Sequence, residues 1–205
     1  MKTAILARHG ESEYSARGAV NGDPRIVVRL TDRGRGEAQR LGEELASERI
    51  DLAATSEFAR AIETADIALA GRQVLRLVLP ELNDIGIGEF EGKTLDEYRG
   101  WARSFPPDAV SPGGAESRVS AVRRYVAAFR RLLERPEETI LVVAHSLPIR
   151  YVLNAVDKLG PAPEMALVEH AKAYPLPARA LRLATDRLDA WTSEPVWPGL
   201  GASNE

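Results

Sequence analysis

The chain has 205 residues, 44% of them hydrophobic and 28% charged, which is enough for one sizeable core and short for two. A formal net charge of -3 and a pI near 5.8 argue against a protein that sheathes nucleic acid. The absence of cysteine excludes disulfides, thiolate metal sites and a cysteine-dependent phosphatase.

The first apolar run is TAILA, residues 3–7, and Arg8 and His9 follow it. Charge arrives too soon for a secretory h-region, and no run is long enough to span a bilayer, so a cytoplasmic enzyme without a membrane partner is expected. RLTDRGRGEAQRLGEELASERI, 29–50, reads as a helix capped by Thr31 or Asp32, with Ala38, Leu41 and Leu45 on one face despite its glycines. IDLAAT, 50–55, is the second strand. Ser56 then reads as the N-cap of a helix whose Phe58, Ile62, Ala65 and Leu69 form an apolar stripe, placing Arg60 in its first turns.

QVLRLVL, 73–79, is a third strand, and the glycine-rich NDIGIGEFEGKT reads as a loop. Pro-Pro and Gly-Gly in the stretch 98–117 break any long helix, so 83–117 is expected to be a loop or lid, with Trp101 and Phe105 packed in it. Val119, Val122, Val126, Phe129 and Leu133 mark a helix stopped by Pro136, and ETILVVA, 138–144, is the clearest strand. His145 follows directly. Ser146 reads as the cap of the next helix, with Pro148 in its first turn and Ile149, Val152, Leu153 and Val156 buried. ARALRLA, 178–184, reads as a final strand at the sheet edge, and 191–205 as a loosely held tail. The alternation of strands and helices predicts one domain over 1–190, a three-layer α/β/α sandwich with a mostly parallel sheet.

His9 and His145 each follow a predicted parallel strand, and ligands gather outside the carboxyl ends of such strands. Arg60 points to the same rim, where helix N-H groups favour an anion, and Arg8 adjoins His9. Two guanidinium forks and two imidazoles suit a tetrahedral dianion.

RHGES at 8–12, TSEFARAIETA at 55–65, LNDIGIGEFEG at 82–92, GGAES at 113–117 and AHSLPIR at 144–150 together resemble the ordered blocks of the histidine phosphatase superfamily, the phosphoglycerate mutase-like proteins. The resemblance implies that His9 attacks phosphorus and becomes a phosphohistidine, while Arg8, Arg60 and His145 hold the transferring group's oxygens. The family's usual proton donor is a glutamate in an L-x-E block. Asp84 stands at that position, one methylene shorter, with Glu81 as a neighbouring rival. Ser15 stands where many members carry a phosphate-binding asparagine, and its hydroxyl can still donate. Arg150 resembles the family's IR, as a phosphate contact or as pocket support. Glu11 and Glu116 read as partners that orient arginines, and His170, which matches no block, as structural.

The expected activity is metal-independent hydrolysis of a small phosphomonoester, with no cofactor and no nucleic-acid partner; oligomeric state is left open. Three alternatives stand beside it. One is mutase-type phosphotransfer. Another is a metal enzyme using His9, His145 and Asp84, which the charge of Arg8 opposes. The last is a phosphate-binding regulator that has lost catalysis.

Overall fold

A computed structural model describes residues 1–114 and 116–198. In chain order the elements are β1 (Thr3–Arg8), α1 (Glu13–Ala16), α2 (Asp32–Glu44), β2 (Leu52–Thr55), α3 (Ala59–Ala68), β3 (Leu75–Val78), α4 (Leu95–Ser104), α5 (Arg118–Leu133), β4 (Thr139–Ala144), α6 (Ser146–Val156), β5 (Tyr174–Pro177) and α7 (Ala178–Trp191). Short 3-10 turns at Pro80–Leu82 and Gly88–Phe90 link β3 to α4.

The sheet order is β3-β2-β4-β1-β5, and every pairing is parallel except that of β5 with β1. Side chains alternate across a strand, so a strand covered on both faces must be apolar throughout. Ala4 and Leu6 of β1, Leu52 and Ala54 of β2, and Ile140 and Val142 of β4 pack with α5, α6 and α7. Ile5, Ala7, Ala53, Leu141 and Val143 face the opposite way, with Leu41 of α2 and Ala61 and Ala65 of α3. The result is the expected three-layer sandwich. Phe129 of α5 is fully buried in the larger layer, and its truncation to Ala would cost about 3–5 kcal/mol.

Three local expectations are corrected. ARALRLA is the start of α7, whose Leu181, Ala184, Thr185 and Leu188 repeat at helical spacing; the edge strand is the preceding YPLP. Its prolines, two residues apart, fit the alternate positions of an edge strand whose N-H groups face away from the sheet. The stretch expected to be a loop contains α4, started by a capping box between Thr94 and Glu97. Within the expected tail, Trp197 is 3% exposed and donates its indole N-H to the Phe105 carbonyl at 2.8 Å; residues 199–205 lie outside the described residues.

Candidate active site

The register of β1 on β4 brings the two histidines together. Arg8 pairs with Ala144, and the His9 amide donates to the Ala144 carbonyl at 3.0 Å, so two chain segments distant in sequence leave the sheet side by side. The imidazole centroids of His9 and His145 lie 5.3 Å apart. Arg60, in the first turn of α3 after β2, reaches both rings.

Hydrogen-bond chemistry fixes the tautomers. Arginine only donates. Arg60 Nε donates to His9 Nε2 at 3.1 Å, so His9 carries its proton on Nδ1, which donates to the Gly10 carbonyl at 2.7 Å. Arg60 Nη2 donates to His145 Nδ1 at 3.3 Å, leaving His145 Nε2-H to donate to the Ser56 hydroxyl at 2.8 Å. Asp84 Oδ2 is 3.7 Å from His145 Nδ1. A cavity of about 210 Å³ is lined by Arg8, His9, Asn21, Arg60 and Asp84 among others.

The glycines of RHGES and of α2 have a steric reason. A Cβ on Gly10 would collide with the Gly34 carbonyl, and one on Gly34 would collide with the Glu11 carbonyl. The helix cost of Gly34 is offset by this close approach, which seats the loop carrying His9 against α2. The Gly10 amide also donates to Thr64 Oγ1 at 3.0 Å, tying that loop to α3.

Arg60 is held from the far side by Asn21, whose side-chain and backbone oxygens accept from Nη1 and Nη2. Asn21 is in turn fixed by Glu91, which accepts from its amide at 2.7 Å and from the Gly22 amide at 2.8 Å. Asp84 is fixed by Arg124, which donates to the carbonyls of Glu81, Asn83 and Asp84 and pairs with both oxygens of Glu116. Arg8 donates from Nη1 to the Val168 carbonyl at 2.9 Å, while its buried Nε has no partner among the described residues. His170 donates from Nδ1 to the His9 carbonyl at 2.8 Å and also borders the cavity.

Burial lowers the guanidinium pKa of Arg8 and Arg60 to about 10, so both stay charged at neutral pH. Burial, then the charges of Arg60 and Arg8, hold His9 and His145 well below the ordinary imidazole value of 6.5. Both rings are neutral near pH 7. Burial raises Asp84 above the usual carboxylate range, against the opposing pull of Arg60 and the Ile85 amide. Its side chain is 27% accessible because it borders the cavity. Neutral imidazole, fixed cationic forks and a carboxyl that favours its proton can receive a phosphoryl dianion, attack it and protonate a leaving alkoxide.

Of the residues expected from sequence, Arg8, His9, Arg60, Asp84 and His145 converge. Ser15 borders the cavity, but its hydroxyl donates to the Ser12 carbonyl in the cap of α1. Glu81 is not at the cavity; its carboxylate lies 3.4 Å from Arg131. Arg150 borders the cavity while its guanidinium holds the Ala166 and Leu167 carbonyls. His145 itself is the N-cap position of α6, and Ser146 Oγ accepts from the Val168 amide. Likewise the N-cap position of α3 is Phe58 rather than Ser56, which is committed to His145. Ser56 was read from sequence only as a helix cap, and Asn21 and Glu91 were given no role. Ser56 carried a signal in its place directly after β2, and Glu91 in its place within the LNDIGIGEFEG block, whereas Asn21 carried none.

The chain matches the family model described as the histidine phosphatase superfamily (branch 1) over residues 4–172. It is 34% identical over 164 residues to a phosphoglycerate mutase of Candida albicans, covering 72% of this chain but only 65% of that enzyme. It is 31% identical over 194 residues to a 2,3-bisphosphoglycerate-dependent phosphoglycerate mutase of Nocardia farcinica, covering 77% of this chain and 78% of the relative. Among solved structures, the alpha-ribazole phosphatase of Shigella flexneri superposes with a TM-score of 0.72 at 25% identity, covering 84% of this chain and 89% of that one.

Proposed function

Since the chain belongs to the histidine phosphatase superfamily, we propose that it is a metal-independent phosphomonoesterase in which His9 is the nucleophile and Asp84 the proton donor. The observation that carries the reading is the single tautomer of His9, with Nδ1-H tied to the Gly10 carbonyl and the Nε2 lone pair directed at Arg60.

In the first step His9 Nε2 forms a bond to phosphorus as the ester P-O bond breaks, and the departing alkoxide takes the Asp84 proton. In the second, the Asp84 carboxylate takes a proton from a water molecule as the water oxygen bonds to phosphorus and the P-Nε2 bond to His9 breaks. Phosphate leaves, and His9 and Asp84 return to their starting states. Arg8 and Arg60 hold the equatorial oxygens, with the unpartnered Arg8 Nε among the available donors, while His145, whose one N-H is given to Ser56, accepts from Arg60 and positions it. Splitting one displacement into two and fixing positive charge around the transferring group supply the barrier reduction. The cationic forks beside both imidazoles oppose a bound metal ion.

The test is hydrolysis of an aryl phosphate in excess chelator, with acid-labile phosphoprotein trapped during turnover. His9→Ala should abolish both signals. Phosphate release by that variant at the wild-type rate would remove His9 from the chemistry.

Phosphotransfer between positions of a phosphoglycerate is the second reading, favoured by the names of the Candida and Nocardia relatives. The short segment between Gly92 and Gly113, with α4 as its one helix, supports hydrolysis instead, since little chain is available to enclose an intermediate. Dominant phosphate release to water from a phosphoglycerate would exclude the mutase reading.

A further inference from the structure

Arg118 is the first residue of α5 and is 5% exposed, yet it lines the same cavity as His9 and Asp84. Its Nε donates to the Tyr98 hydroxyl at 2.9 Å, its Nη1 to the Tyr151 hydroxyl at 2.9 Å, and its Nη2 to the Pro163 carbonyl at 3.4 Å. All three partners are neutral. Among the described residues no carboxylate lies within ion-pair distance of it. A guanidinium has five N-H groups, so these bonds leave two of them free.

Arg8 and Arg60 also lack an ion pair among the described residues, but they form the phosphoryl site beside His9, and Arg150 is held by two carbonyls; two other arginines nearby are ion-paired. Arg124, also on α5, has both oxygens of Glu116, and Arg99 at the cavity wall has Glu164 at 3.7 Å. Arg118 also occupies the first turn of a 16-residue helix with no acidic residue in that turn, where the helix dipole adds positive potential. A buried cation without a counter-charge, at the positive end of a helix, lowers stability. Tyr98 accepts from Arg118 and keeps its own O-H to donate, and it too lines the cavity.

We propose that Arg118, assisted by Tyr98, recognises a second oxyanion of the substrate, remote from the phosphoryl group that His9 attacks. This rests on the phosphatase reading and narrows it to phosphomonoesters that carry another acidic group, a carboxylate or a second phosphoryl. The substrate anion supplies the counter-charge that the fold omits, and Arg118 is then a specificity residue.

The test measures binding of inert phosphonates by calorimetry, alongside turnover of the matching phosphate esters. An alkylphosphonate ending in a carboxylate, one ending in a second phosphonate and one of equal length ending in a methyl group are compared. A charged hydrogen-bonded contact predicts about 10- to 100-fold tighter binding of at least one anion-terminated ligand by the wild type. Arg118→Met should lose that preference and Arg118→Lys should keep part of it, the preference being read as the ratio of anion-terminated to methyl-terminated binding within each variant. The two anionic termini distinguish a carboxylate from a phosphoryl partner. Equal binding of all three ligands by the wild type overturns the proposal without any variant, as does a preference that survives Arg118→Met. Preference without His9-dependent turnover would keep Arg118 as an anion receptor and discard the phosphatase reading. Turnover without preference would do the reverse.

Discussion

Arg60 donates one N-H to His9 Nε2 at 3.1 Å and another to His145 Nδ1 at 3.3 Å, so a single guanidinium sets the lone pairs of both imidazoles. Its remaining fork is held by Asn21. Replacing Arg60 with Ala is expected to lower kcat/KM by about 10²- to 10³-fold, the scale of removing one preorganised donor from a developing charge. Arg60→Lys should recover little, because an ammonium lacks the planar fork that reaches His9, His145 and Asn21 together. Steady-state kinetics on an aryl phosphate decide it. Near wild-type rates in Arg60→Ala would exclude Arg60 from the reaction.

Asp84 is expected to matter in proportion to how badly the leaving group needs a proton. Asp84→Asn should slow hydrolysis of simple alkyl phosphates by about 10²- to 10⁴-fold, the usual contribution of general acid catalysis. Nitrophenyl phosphate, whose phenolate leaves unassisted, should be affected much less in the same variant. Equal losses on both substrates would point to a binding role instead. Glu81→Gln, away from the cavity beside Arg131, should leave both rates close to wild type.

Much of this site was legible because chemistry and topology coincide at the ends of β1 and β4. Short apolar runs ending in histidine identify strand ends, and a parallel sheet gathers such ends on one rim. The supporting residues were hidden by distance in sequence. Asn21 and Glu91 lie in loops without periodicity and meet only because the chain folds Gly22 onto Glu91. The last strand was missed for a different reason. Two prolines in YPLP argue against a strand by propensity, whereas pairing with β1 at the sheet edge tolerates them, and the alternation in ARALRLA masked the helical spacing from Leu181 to Leu188.

Ser56 is fully buried and receives the Nε2 proton of His145 at 2.8 Å, which commits that ring to one tautomer. Ser56→Ala should leave a buried imidazole N-H unpartnered and reduce stability by about 1–3 kcal/mol. It should also release the tautomer. Nitrogen NMR of the imidazoles is expected to show Nε2-protonated His145 in the wild type and a mixture in Ser56→Ala, with a fall in kcat larger than any change in KM. An unchanged nitrogen spectrum would mean that Arg60 alone holds the ring.

The buried neutral histidines also set an acid limit on stability. Folding holds His9 and His145 well below 6.5, so as pH falls through that value the unfolded chain takes up protons that the native chain refuses. Stability is therefore complete above about pH 6.5 and declines below it, by up to about 1.4 kcal/mol per pH unit for each histidine, until the native rings titrate. Asp84 works in the other sense. Its raised pKa means that the native carboxyl holds its proton where the unfolded one has lost it, so its contribution is unfavourable at high pH and disappears in acid. Urea denaturation at pH values above and below 6.5 should show a lower midpoint on the acid side, with a shallower pH dependence in His9→Ala. Inorganic phosphate should raise the midpoint at neutral pH, because an anion that binds only the native site stabilises it by mass action. A midpoint independent of pH across this range would mean that both rings accept protons in the native protein, against the burial and the two guanidinium charges that surround them.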